Sequence, residues 1–126
     1  MHMRAVAHFD RLFAYDHWAN QRCLEMLRGC PNAPKRARRI LAHTVVTPQV
    51  WLCRIESRPY PFPDFWPELS LDRSAEENEE ARRQITAFLA GLSPDDLDRA
   101  VAYTNSRGDA FETPINTDYI VFSRGR

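Results

Sequence analysis

The sequence predicts a mainly α-helical, single-domain protein over residues 1–126 with a small β-hairpin near its end. Three observations carry this prediction. Apolar residues recur every three or four positions in three separate stretches, each closed by a glycine or proline. A proline-rich segment divides the second stretch from the third. Two short alternating segments then flank Asn105-Ser106-Arg107-Gly108, which reads as a turn.

The first helix is expected over residues 5–28, where Phe9, Leu12, Phe13, Leu24 and Leu27 share a stripe and Gly29 and Pro31 supply the stop. Advancing along that stripe from Phe13 lands on Asp16 and Asn20 before Leu24, so two polar side chains should face inward. Tyr15 and Trp18 fall on the opposite side, which implies a helix covered on two sides, by bundle neighbours or a second subunit.

A second helix is expected over residues 34–56. It opens on Lys35, Arg36, Arg38 and Arg39, then turns apolar nearly all round, as a buried helix does. Pro48 removes a backbone donor and should bend or interrupt this helix near Thr44. His43 shares a face with Ile40, Thr47, Val50 and Trp51. From Ser57 to Leu71, prolines 59, 61, 63 and 67 forbid regular structure, and Phe62, Phe65 and Trp66 are expected to plug the end of the helical core.

The third helix is expected over residues 71–89, with Ser74 and Glu77 as a capping box and Gly91 as the stop. Glu76, Glu77, Glu79 and Glu80 sit early in it, where the dipole favours acids, and read as a solvated face. Ser93-Pro94-Asp95-Asp96-Leu97 reads as an N-cap and one short turn. Residues 100–104 and 110–113 form the hairpin, and Pro114 ends it.

Bulk properties exclude several function classes. With 17 basic and 17 acidic residues the chain has no net field to hold nucleic acid or an anionic membrane surface, so neither partner is expected. No segment resembles a signal peptide or a membrane span, which points to the cytoplasm. Cys23, Cys30 and Cys53 lack C-x-x-C spacing and are expected as buried free thiols.

Several local strings are more specific than this order of parts. They are Leu12-Phe13-Ala14-Tyr15-Asp16-His17-Trp18-Ala19-Asn20, then Leu41-Ala42-His43 followed by Trp51-Leu52, then Leu97-Asp98-Arg99 and Tyr103-Thr104-Asn105-Ser106-Arg107-Gly108. Together, over about residues 8–114, they resemble the DinB/YfiT-like family. The resemblance implies an up-down-down-up four-helix bundle, a homodimer, and a divalent-metal-dependent enzyme, either a transferase of small-molecule thiols or a related hydrolase. It also implies one metal-ligating histidine on the second helix, matched by His43, and a His-x-x-x-His pair on a fourth helix after the hairpin. Residues four apart share a helix face, so such a pair can converge on one Zn or Ni ion.

After Pro114 the chain reads Ile-Asn-Thr-Asp-Tyr-Ile-Val-Phe-Ser-Arg-Gly-Arg, without a histidine. The expectation is therefore a bundle whose last helix is missing or incomplete through truncation, frameshift or gene decay, with the metal site unfinished, no ion held by this chain alone, and no activity. Packing a fourth helix would bury about 400 Å² of apolar surface, on the order of 10 kcal/mol gross, so the chain should be marginal as a monomer and gain from dimerising. For His43 the expectation is a buried imidazole hydrogen-bonded to Thr47 or Asp16. Asp16, His17 and Asn20 stand as supporting or substrate-side groups, or as a buried polar network. The alternative function is a catalytically silent, dimeric binding or stress-related module.

Overall fold

The computed structural model describes residues 2–104 and 107–115. Three helices dominate it: α1 (His2–Arg28), α2 (Lys35–Glu56) and α3 (Leu71–Ala90). A short 3-10 turn, Pro94–Asp98, leads into β1 (Ala100–Thr104) and β2 (Ala110–Pro114). The two strands pair antiparallel, with Ala102 opposite Glu112 and Thr104 opposite Ala110. Gly108 takes φ 83°, which a side chain would oppose. The expected fourth helix, and the Tyr119-Ile120-Val121-Phe122 string, lie outside the described residues.

Two apolar clusters fix the helix directions. In one, Leu24, Leu41, Val45 and Val46 pack with Leu27, Leu69, Leu71 and Ala75. In the other, Phe9, Phe13, Trp51, Leu52, Ile55, Ile85 and Leu89 meet Val101 and Ile115. The late part of α1 thus meets the early parts of α2 and α3, while its early part meets their late parts. Helix α1 therefore runs antiparallel to both, and α2 and α3 run parallel. Parallel neighbours demand a return along the whole helix, about 33 Å for α2 at 1.5 Å per residue. The stretch 57–70, extended at about 3.3 Å per residue, reaches about 46 Å, enough for that return. Its prolines hold it open.

Several local expectations change. Pro48 does not interrupt α2, which runs unbroken through it; Pro48 is buried, and the Thr44 hydroxyl donates to the Ile40 carbonyl at 2.8 Å. The cap of α3 is Ser70, whose hydroxyl accepts from the Arg73 N–H at 3.0 Å, so the box predicted at Ser74 and Glu77 lies one turn too late. Ser74 is fully buried inside the helix. Glu77 leaves the solvated acidic face and is also buried, for the reason given below. Among the cysteines only Cys53 is buried; Cys23 and Cys30 are exposed. In the crossover Tyr60 and Phe62 pack on the cluster around Leu24 and Val45 and Phe65 is half-buried, but Trp66 stays 47% exposed and is no plug.

Candidate functional site

The inward polar residues of α1 are met by inward polar residues of α3. Its stripe runs Ser74, Glu77, Asn78, Ala81, Ile85, Leu89, all buried, and is breached at Glu77 and Asn78 much as α1 is breached at Asp16 and Asn20. Where the breaches coincide they satisfy one another. The Asn20 amide donates to Asn78 Oδ1 at 3.1 Å, and the Asn78 amide donates to the His17 carbonyl at 3.2 Å. An unpaired buried amide would cost about 1–3 kcal/mol, so the pairing explains why both positions tolerate asparagine.

Above this pair, His17 Nε2 meets Glu79 Oε2 at 2.5 Å and Gln21 reaches the same oxygen at 3.4 Å. Toward the helix ends, Arg82 pairs with Asp10 and Arg28 with Asp72. Glu77 turns the other way, toward α2: Gln49 donates to its Oε1 at 2.7 Å and Arg73 to its Oε2 at 2.9 Å. A buried carboxylate with two donors is a satisfied one, which is how an acid enters this core.

Asp16 lies at the seam without joining it. It lines a cavity of about 10 Å³ with His17, Pro48, Asn78 and Arg82, room for about one water. Burial pushes its carboxyl above the ordinary value of 3.8, and the neighbouring His17 opposes that shift.

His43 is placed elsewhere, on α2 beneath the crossover. Its Nδ1 lies 2.5 Å from the Phe65 carbonyl oxygen, and its ring stacks on Trp66 with centroids 3.8 Å apart and planes 5° apart. The expected partners are corrected: the Thr47 hydroxyl donates to the His43 backbone carbonyl at 2.7 Å, not to the ring, and Asp16 forms no hydrogen bond with it. A carbonyl oxygen only accepts, so Nδ1 carries the proton and the neutral ring keeps its lone pair on Nε2. That is the tautomer of a metal-ligating histidine steadied by a backbone carbonyl.

The structure thus brings Asp16, His17 and Asn20 together with α3 and leaves His43 apart from them. Among the described residues no group of three or more His, Cys, Asp or Glu is placed to hold a metal ion. His43 offers one donor of a metal site, and the described residues do not complete the set. Sequence reading missed Gln49, Glu77 and Asn78. A lone glutamine inside the largely apolar second half of α2 was the available signal for the first, and the breached stripe of α3 for the others.

A further arrangement lies beyond His43. The Arg54 guanidinium sits 4.6 Å from the Trp51 ring centroid, 4.8 Å from Tyr103 and 5.3 Å from Phe65, so one cation ties α2, the crossover and β1 together. Beside it Cys53 is buried, and desolvation raises its thiol above the ordinary value, which keeps it protonated and inert.

No described helix is long and apolar enough to cross a membrane. Comparison with curated proteins and with solved structures returns no match for the chain. The sequence profile of the DinB superfamily matches residues 37–117, from the first turn of α2 through the crossover, α3 and the hairpin. His43 and its Trp66 partner lie inside that span, whereas Asp16, His17 and Asn20 precede it. With more than half of its residues matched, the chain belongs to the DinB superfamily.

Proposed function

We propose that the protein is a divalent-metal-dependent enzyme of the thiol-transfer or hydrolytic type that its family resemblance implies, with His43 as a metal ligand. The observation that carries this reading is the Nδ1–H to Phe65 carbonyl bond, which fixes the ring and directs the lone pair to Nε2. Zn or Ni suits an imidazole donor, and the ion would supply a stabilised thiolate or an activated water. The His-x-x-x-His pair that the resemblance implies is not among the described residues, so the site is incomplete in what is described. His17 and Asn20 serve the helix seam in this reading, Asp16 lines the small cavity beside it, and none of the three touches the ion. Calorimetric titration with Zn²⁺ or Ni²⁺ tests it. In a form of the protein that carries the His-x-x-x-His pair about one ion per chain is expected, lost in His43→Ala; undiminished binding by His43→Ala would remove His43 from the site.

A second reading, a dimeric binding module without catalysis, is favoured by one observation. Tyr15, Trp18 and Met26 are exposed at 66%, 51% and 66% along one face of α1, and the Tyr15 and Trp18 rings lie 5.6 Å apart. Arg11 and Glu25 flank Trp18 seven residues to either side, so a two-fold axis at Trp18 would oppose them across an antiparallel helix pair. Sedimentation of the wild type and of Trp18→Glu decides the matter: a dimer is expected, shifted to monomer by the substitution, and a wild-type monomer at high micromolar concentration ends this reading.

A further inference from the structure

We propose that the groove between the first turn of α2 and Trp66 binds a small organic polyanion bearing a flat ring, of the nucleotide class. This goes beyond the metal reading and does not depend on it. The groove has a volume of about 390 Å³ and is lined by Lys35, Arg36, Arg39, Ile40 and Trp66. That volume is in the range of small-molecule sites. A smaller groove of about 250 Å³ continues from it, sharing Lys35 and Arg39 and adding Arg38, Glu68, Leu69 and Ser70.

Charge is the first argument. Arg22, Arg28, Arg58, Arg73, Arg82 and Arg83 each form an ion pair with an acid. Lys35, Arg36, Arg38 and Arg39 form none among the described residues, and the first turn of α2 holds no acidic residue. Glu68 is the acid beside the neighbouring groove, and it pairs with none of the four. Four cations within five residues thus repel one another, with no acid among the described residues paired to offset them, although the chain as a whole has no net charge. A ligand with two or more negative charges relieves that repulsion, and guanidinium groups match phosphate oxygens in geometry as well as charge.

The second argument is the aromatic platform. One face of Trp66 is taken by His43, yet the residue remains 47% exposed, so the opposite face is open to the groove it lines. Ile40, 44% exposed, supplies an apolar wall beside it. The platform is fixed in advance: the Trp66 backbone N–H donates to Asp64 Oδ1 at 2.6 Å, Pro67 after it is buried, and the imidazole supports the ring from behind. A preformed flat apolar face selects a flat ring, because stacking loses little freedom on binding. Phosphate alone would use the cations and leave the tryptophan idle. The cations are confined to one helical turn and the chain carries no net charge, so the surface fits a small ligand better than a nucleic-acid strand, which needs a continuing basic track.

Adenosine diphosphate is the probe, inorganic pyrophosphate its ring-less counterpart, and an oligothymidylate of about 15 nucleotides the polymer control. Binding is followed by calorimetry, with the His43 imidazole resonances recorded by NMR as a local reporter. Expected are adenosine diphosphate binding at least about tenfold tighter than pyrophosphate, and a loss of about tenfold or more for both in Arg36→Glu/Arg39→Glu. Trp66→Ala should lose the nucleotide's advantage while keeping pyrophosphate affinity within about twofold, and the His43 resonances should shift with the nucleotide in the wild type. Unchanged thermal melting confirms that these surface variants fold. Equal affinity for the two phosphates, an unaffected Trp66→Ala, or no nucleotide binding at millimolar concentration overturns the proposal. So does an oligonucleotide that binds far more tightly than the diphosphate, which would hand the surface to nucleic acid.

Discussion

The seam between α1 and α3 and the rim at the start of α2 are both rich in polar and charged groups, and they are built in opposite ways. Along the seam Asn20, Asn78, His17, Glu79, Asp10 and Arg82 are all matched with a partner on the facing helix. At the rim Lys35, Arg36, Arg38 and Arg39 surround a groove and find no acid among the described residues. Matched groups fix which helix faces which, because a slip would leave amides unsatisfied. Unmatched groups do nothing for the fold and remain available to something outside it. His43 stands between the two types: its Nδ1 is committed to a backbone carbonyl and its Nε2 is not.

Substitutions sharpen that contrast in a graded order. The reference for a purely structural position is Ile85, 2% exposed between α1 and α2; Ile85→Ala should cost about 2–5 kcal/mol in urea denaturation. Asn78→Ala comes next, because it strands the Asn20 amide and takes the second donor from the His17 carbonyl, and a loss of about 1–3 kcal/mol is expected. Replacing both Asn20 and Asn78 with leucine should recover much of that loss, since no buried amide is then left alone; a double variant worse than the sum of its singles would mean that the seam is not a matched pair.

Asp16→Asn should act in the other direction and more weakly. Burial raises the native carboxyl above 3.8, so the native state holds this proton to higher pH than the unfolded chain. Its stabilising contribution is then complete below 3.8 and is lost as pH rises through the raised native value. The asparagine variant is therefore expected to be more stable than the wild type at pH 7, with the gap closing at acid pH; a gap that persists below pH 3.8 would contradict it. Smallest of all, Arg38→Ala at the rim should change stability by less than about 0.5 kcal/mol, and a larger loss would place the rim among the structural groups.

Much of this was legible in the sequence. Three helices, the open crossover and the hairpin followed from apolar spacing and from proline placement, because those signals are local. The inward breach at Asp16 and Asn20 was legible too, as a polar interruption of one stripe. Its partner was not, since nothing in α1 says that the matching interruption lies at Asn78, nearly sixty residues on. The same limit hid the Gln49–Glu77–Arg73 link and misplaced the α3 cap, where Ser70 and Ser74 look alike until the backbone geometry separates them. Trp66 was misread because an aromatic among prolines looks like core filler, and only the folded chain shows it stacked on His43 and 47% exposed.

The up-down-down path has a consequence for how the chain reaches its fold. Helices α1 and α3 are spatial neighbours joined by contacts 44 to 72 residues apart, so they cannot zip together as a hairpin of adjacent helices can. A loop of that size must close first, and its entropy falls on the transition state before the asparagine pair returns anything. Folding should therefore be slower than for an up-down bundle of equal length, and cleavage within the crossover should turn a unimolecular search into a concentration-dependent one.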